Sequence, residues 1–480
     1  MKNSDEQNKP FPEPESVETL RLWQMIFLGK GTFVRQLLHA FISIALRLFF
    51  RCIEAVNVES VPKTGAIIFV LNHPNGLVDP ALVFVSLARR VSFLAKSTLY
   101  ANRFAAFILR TFEILPVYRR SDAAGDMEKN RSTFENCFEL LKRGRCIAIF
   151  PEGISHDATE LKPMKTGAAR IALGALAVGE NAANNQLKIM AVGLYYTSKT
   201  AFRSEALIRY GEILEVEPVA LDEAGEPPRD AVLHLTNKIE TALRRVTLNL
   251  ETPEELDTIL KAEALFSSVY ENLIFKQTLT QTVERLQNLA EKYRLLRREN
   301  PEQIARLRER VERYENKLRT SGLTVESLSV LQHPTWYVFR YLILRVALLI
   351  VLAPLSIAGA FVHSPAYLFS NVVGLLFKKH GDDAAGSTYK ILAACAAMPF
   401  TWLFIALVVL YFFGWQFALL SIPLTIICGY VALRSVETLV DLRVWIKSAW
   451  LLFRERALFL RLLVERKTLQ KEIGGIIEKE

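Results

Sequence analysis

Apolar residues gather after position 335 of this chain. There 341–362 and 391–413 each run long enough to cross a bilayer, and 415–433 comes close. They account for a hydrophobic share of 51% and a mean hydropathy of +0.19, both high for a soluble enzyme. A formal charge of +9 suits an anionic membrane surface or nucleic acid. The apolar spans favour the membrane, and no recognisable nucleic-acid motif accompanies the charge. Five scattered cysteines with no CxxC pair read as reduced thiols facing a cytoplasm.

Basic residues give the expected orientation. Lys378, Lys379 and Lys390 mark one segment, and Arg434, Arg443, Lys447, Arg454, Arg456 and Arg461 follow the last span. The positive-inside rule puts both in the cytoplasm, so 391–413 and 415–433 form a hairpin around FFGWQ. A cytoplasmic N-terminal region then requires 341–377 to turn back as well, at Pro354 or at His363-Ser364-Pro365. The stretch 441–470, with tryptophans among regularly spaced basic residues, reads as an interfacial helix. Residues 335–480 are thus expected to form transmembrane hairpins and an interfacial C-terminal helix.

Upstream, 1–30 is polar and proline-rich, expected as a disordered tail and not a signal peptide. Residues 31–58 carry Arg35, Arg47, Arg51 and Glu54 within an apolar run, which predicts an amphipathic helix in the membrane interface; a buried helix of the soluble domain is the alternative. From 59 to 250 short apolar runs (AIIFV, VSFLAK, CIAIF, LKIMAVGLYY) alternate with helical stretches. That pattern predicts an α/β domain with a mostly covered sheet. Residues 251–334 are charged with 3-4 apolar spacing, and Asn300-Pro301 divides them into a helical hairpin, a possible surface for homo-oligomers.

Three stretches could carry chemistry. LNHPNGLVDP places His73 and Asp79 around Pro-Asn-Gly straight after an apolar run; a turn after a buried strand explains it equally well. FPEGISHD supplies Glu152, Gly153, Ser155, His156 and Asp157, followed by Lys165-Thr166-Gly167 at a helix start, where a lysine suits an anion. Ser155, His156 and Asp157 are adjacent, so they cannot easily form a serine triad, and His156 and Asp157 lack partners at zinc-ligand spacing. EILPVYRR ends on Arg119 and Arg120, whose guanidinium forks match phosphate.

Together these stretches resemble the phospholipid/glycerol acyltransferase family. Its His-x4-Asp block is answered by His73 and Asp79, its G-x-[IV]-[FP]-[IV]-x-R block by EILPVYR ending at Arg119, and its FPEG block by Phe150 to Ser155 with Lys165 and Gly167 following. Its final V-P-V strand is answered by IMAVGLYY, with Ala191 in place of proline. Two departures stand out: five residues separate His73 from Asp79, and glycine is missing before Ile114. The HPNxxVDP form looks most like the branch that includes fungal glycerol-3-phosphate/dihydroxyacetone-phosphate acyltransferases.

The resemblance implies an acyltransferase that needs no cofactor and no metal. Its co-substrate would be acyl-CoA or acyl-carrier protein, and its acceptor glycerol 3-phosphate or 1-acylglycerol 3-phosphate. His73 is then the base and Asp79 its orienting partner; Arg119, Glu152, Gly153, Ser155 and Lys165 are substrate-binding. A capping role explains Ser155 equally well. A different class of protein, an inactive membrane scaffold that keeps the fold, is the rival reading.

Overall fold

β-Branched and aromatic runs between helical stretches fold as the alternation demands. A computed structural model of the chain describes residues 16–29, 31–101, 103–118, 127–177, 187–223, 225–267, 278–323, 335–377 and 383–477, which divide into one unit ending at Thr247 and a second beginning at Leu248.

The first unit is built on an eight-stranded mixed sheet of β1 (Val17–Thr19), β2 (Phe50–Val56), β3 (Ile67–Leu71), β4 (Val91–Lys96), β5 (Leu115–Val117), β6 (Cys146–Ile149), β7 (Lys188–Tyr196) and β8 (Ser204–Glu215). Their order is β1-β2-β8-β7-β3-β6-β4-β5. From β7 to β5 every neighbour is parallel, and every residue of β3 is buried, as expected for a strand covered on both faces. Ile68 and Val70 face a core shared with α5 (Met127–Lys142), α6 (Gly167–Ala177) and α7 (Arg229–Val246). Phe69 meets Tyr210 of β8, whose hydroxyl bonds Ser86 of α3 (Val78–Ser86) on the other face.

The sheet extends further toward the N-terminus than the sequence suggested. Residues 31–58 are not one interfacial helix: α2 (Phe33–Phe49) ends at Phe50, and 50–56 is strand β2, paired in parallel with β8. Strand β1 and α1 (Leu22–Phe27) likewise order part of the expected tail, whose residues 1–15 lie outside the described residues. Helix α4 (Arg103–Thr111) completes this unit's α-helices among the described residues.

One close approach fixes how α7 meets the sheet. A Cβ at Gly193 of β7 would stand 1.9 Å from the Val246 carbonyl oxygen. Backbone cannot move aside as a side chain can, so Gly193→Ala should cost about 3 kcal/mol or more. A urea titration of the mutant checks this; an unchanged midpoint refutes it.

The second unit is helical. Helix α8 (Pro253–Phe266) pairs with α9 (Leu279–Glu299) through Arg285–Glu263 and Arg294–Glu255. Asn300 then ends α9 and caps α10 (Pro301–Thr320), its side chain accepting from the Gln303 N–H as the N-cap/Pro-N1 pattern predicts. Apolar stripes at Val283, Leu286 and Ala290 and at Ile304, Val311, Tyr314 and Leu318 are buried.

The interfacial reading of 441–470 is corrected. Helix α13 (Trp415–Arg454) runs through its first part, and α14 (Arg456–Ile477) packs with α8 and α10. Phe459, Leu462, Leu469 and Ile473 are buried there; Tyr314 donates to the Leu462 carbonyl, and Lys317 pairs with Glu465. An amphipathic basic helix fits a bilayer interface or a protein groove, and here the groove holds it.

The apolar region holds α11 (Thr335–Leu376), α12 (Asp383–Phe413) and α13. Three spans, Phe339–Leu376, Thr388–Phe413 and Trp415–Arg443, are long and apolar enough to cross a membrane. The expected turn-back within 341–377 is absent: α11 continues through Pro354 and Pro365. Trp402 Nε1 donates to His363 Nε2 at 3.0 Å, while His363 Nδ1 bonds the Gly359 carbonyl at 2.9 Å, so this imidazole is a satisfied packing group. Lys378 and Lys379, which anchored the orientation argument, lie outside the described residues.

Candidate active site

Ligand sites of open α/β sheets gather beyond the carboxyl ends of parallel strands. His73 stands two residues past β3, and Phe150 to Asp157 follow β6, its parallel neighbour. The Pro-Asn-Gly loop lets the chain turn so that Asp79, in the first turn of α3, faces back to His73. His73 Nδ1 and Asp79 Oδ2 are 2.8 Å apart. The intervening five residues, one more than the family spacing, are accommodated because the segment before Val78 is not helical.

Asp79 is fully buried, yet its oxygens are well supplied with donors. Oδ2 also accepts from the Asn75 N–H at 2.7 Å, and Oδ1 from the Tyr196 hydroxyl at 2.6 Å. Burial, then the Asp79 charge, push the Tyr196 phenol well above its usual range, so it stays a donor. A carboxylate so held accepts from the imidazole, which puts the proton on Nδ1 and leaves the Nε2 lone pair free. The ring lies against Phe150, centroids 4.1 Å apart and 22° from parallel.

Glu152 fixes the loop behind His73. Its Oε1 accepts from the His73 N–H at 3.0 Å; Oε2 accepts from the Lys162 N–H at 2.9 Å and meets His156 Nε2. Burial works to raise this carboxyl, but the His156 ring and those backbone donors outweigh it, and the pKa falls below the usual value. Its oxygens are therefore engaged by the protein, whereas the sequence suggested a substrate contact. Ser155 also turns inward, its Oγ accepting from the Gly76 N–H at 3.0 Å, the structural alternative named for it.

Gly153 and Lys165 belong together. Gly153 has φ +74°, and a Cβ there would stand 2.3 Å from Lys165 Nζ. Lys165 is exposed, anchored by its backbone N–H on the Pro151 carbonyl at 2.8 Å, just ahead of α6. Its ammonium makes no ion pair among the described residues, so the charge is available to an anion. Arg119 and Arg120 lie outside the described residues.

Sequence reasoning missed three positioning groups. Tyr196 was read only as part of an apolar strand. Asn72 clamps β7 by bonding both backbone groups of Leu194, at 3.0 and 2.8 Å. Lys199 holds the 156–157 turn through Asp157 Oδ1 at 2.6 Å. Each acts across more than 40 residues of sequence, beyond the reach of local spacing.

Comparison with known proteins finds family matches over both parts of the chain. Residues 52–194 match an acyltransferase family model, and 264–480 match the glycerol-3-phosphate acyltransferase 2 C-terminal domain. An uncharacterized acyltransferase of Schizosaccharomyces pombe is 24% identical over 91% of this chain and 80% of its own. Glycerol-3-phosphate O-acyltransferase 2 of Saccharomyces cerevisiae is 32% identical over 56% of this chain, but the match spans just 37% of that protein. A 1-acyl-sn-glycerol-3-phosphate acyltransferase of Borreliella burgdorferi is 27% identical over 28% of this chain and 52% of its own. The chain thus carries an acyltransferase-family domain followed by a C-terminal domain of the glycerol-3-phosphate acyltransferase 2 type.

Proposed function

We propose that the chain transfers an acyl group from a thioester, carried by CoA or acyl-carrier protein, to a hydroxyl of glycerol 3-phosphate at a membrane surface. The observation that carries the reading is the His73–Asp79–Tyr196 chain, with Nε2 of His73 unpartnered among the described residues. His73 Nε2 takes the proton of the acceptor hydroxyl as its oxygen attacks the thioester carbon, and Asp79 stabilises the imidazolium that forms. The C–S bond then breaks, and the departing thiolate recovers that proton as a thiol. No covalent acyl-enzyme and no cofactor are needed. Gly153 leaves room for Lys165, and with Arg119 that ammonium is the proposed anchor for the acceptor phosphate.

The Saccharomyces relative's name favours glycerol 3-phosphate as acceptor. The Borreliella relative's name favours 1-acylglycerol 3-phosphate, the second reading. Membrane association rests on the three apolar helices and on α2, whose Phe33, Leu37, Phe41 and Leu48 are exposed along one side. The acyltransferase domain is proposed to face the cytoplasm, in keeping with Cys137 and Cys146, which form no disulfide among the described residues.

Purified protein, acyl-CoA and a panel of acceptors, with products resolved by mass, test the reading. Glycerol 3-phosphate should outcompete 1-acylglycerol 3-phosphate, and Arg119→Ala should chiefly raise the acceptor KM. A charge-assisted bidentate contact worth roughly 1.5–3 kcal/mol gives about a tenfold to hundredfold loss in kcat/KM. Acylation of neither acceptor, by protein that melts cooperatively, overturns the assignment.

A further inference from the structure

The parallel strands β4, β5 and β6 bring a second group of charges together at their amino ends, the opposite end from the one at which β3 and β6 carry the site. Arg90 immediately precedes β4, Glu113 lies two residues before β5, and Arg145 immediately precedes β6. Arg90 Nη2 donates to Glu113 Oε1 at 3.1 Å, and Arg145 pairs with the other oxygen. Arg35 of α2 closes the group. It is 3% exposed, its guanidinium lies 5.3 and 5.4 Å from the ring centroids of Phe84 and Phe112, and it donates to the Thr111 carbonyl at 3.1 Å. Burial, then the Arg90 and Arg145 charges, lower its pKa to about 10.

Two guanidinium groups thus share one carboxylate, and the Arg35 charge stands close enough to both to be felt, so three positive charges meet one negative charge in a partly dry place. Charges held like this are costly unless an anion completes them. The Nε atoms of Arg90 and Arg145 are buried without a partner among the described residues, while their side chains remain 38% and 22% exposed, so an incoming group can reach them. Glu113 itself is held at φ +56°, the left-handed conformation that favours glycine. That is where the family pattern has glycine, so the departure seen in the sequence puts the cluster's one carboxylate at a backbone position that a glycine would occupy more easily.

What the cluster adjoins indicates the anion's source. A Cβ at Gly31 would stand 3.6 Å from Arg90 Nη2, which sets the turn before α2 against the cluster. Phe27 and Phe33, flanking that turn, are 80% and 78% exposed. Helix α2 runs from here to Phe49, beside the carboxyl-end site through Phe50, which stacks on Tyr196. At 1.5 Å per residue it spans roughly 25 Å. A bilayer met by the apolar side of α2 therefore offers headgroups to its amino-terminal end.

We propose that Arg35, Arg90 and Arg145 form a binding site for the phosphate of an anionic lipid headgroup, separate from the acyl-transfer site. The phosphate oxygens take the guanidinium donors that Glu113 leaves over, and the lipid's acyl chains lie along Phe27 and Phe33.

Binding by the full-length protein in neutral detergent tests this, read by isothermal titration with dihexanoyl phosphatidate, dihexanoyl phosphatidylcholine and inorganic phosphate. Phosphatidate should bind saturably, phosphatidylcholine at least tenfold more weakly, and Arg90→Gln/Arg145→Gln should weaken phosphatidate at least tenfold. Glu113→Gln removes the competing carboxylate and should tighten phosphatidate several-fold, an outcome that misfolding does not mimic. The double variant leaves His73, Asp79 and Lys165 untouched, so loss of a phosphatidate site with acyl transfer retained separates this proposal from the functional one. Inorganic phosphate binding as tightly as phosphatidate, with the same arginine dependence, would assign the cluster to free phosphate and overturn the lipid source. Phosphatidate affinity unmoved by any of these variants would overturn the site itself.

Discussion

His73→Ala is expected to lower kcat/KM for acyl transfer by roughly 10²–10⁴-fold, the range in which a positioned general base contributes. The fold should survive. The ring is 18% exposed, and its contacts are the face of Phe150 and one bond to Asp79. The loop's other ties, from the His73 N–H to Glu152 and from the His156 N–H to the His73 carbonyl at 3.2 Å, belong to the backbone and remain in the alanine variant. A thermal melt close to wild type alongside lost turnover is the expected pair of results. Near-wild-type turnover in a folded His73→Ala protein would falsify the base assignment.

Asp79→Asn should differ in kind, because it damages both chemistry and stability. The carboxylate accepts from three donors, His73 Nδ1, the Asn75 N–H and the Tyr196 hydroxyl. An amide of the same shape offers one oxygen and turns an NH2 toward one side. Either Tyr196 or the His73/Asn75 pair then faces a donor with a donor. Leaving a buried polar group unmatched costs about 1–3 kcal/mol. If the NH2 faces the imidazole, Nδ1 must become the acceptor and the proton moves to Nε2, so the base is silenced. In serine hydrolases the corresponding change costs about 10⁴-fold, and a loss approaching that is expected here. The check is paired: turnover, and the urea midpoint of the same preparation. Full activity with a lowered midpoint would make Asp79 a structural group only.

Local chemistry was legible in the sequence where short-range forces decide it. Asn300-Pro301 marked the joint between two helices, since an N-cap side chain and a proline at the first helical position act within one turn. The runs AIIFV, CIAIF and LKIMAVGLYY became β3, β6 and β7, since only strands covered on both faces tolerate such continuous apolarity. His73 and Asp79 were brought out by the same reading, with Pro-Asn-Gly breaking the chain between them.

Where two environments offer an apolar face the same free energy, the sequence could not choose. FRCIEAV (50–56) continues the apolar pattern of α2, and it is a strand because β8, about 150 residues later, supplies its hydrogen-bonding edge. The basic amphipathic stretch 456–477 satisfies a bilayer interface as well as it satisfies α8 and α10. Helix α11 passes two prolines unbroken, a result that depends on its surroundings more than on proline's preference.

The sequence by itself determined the central strands β3, β6 and β7, the order of the motif blocks and the pair of residues that carry the proposed proton transfer, because these depend on contacts a few residues apart. The tertiary structure alone decided that Tyr196 holds Asp79 from 117 positions away, that Glu152 turns inward to brace the histidine loop, and that Arg90 and Arg145 converge on Glu113. Those contacts exist only once the parallel strands align their ends, and no local periodicity encodes which ends will meet.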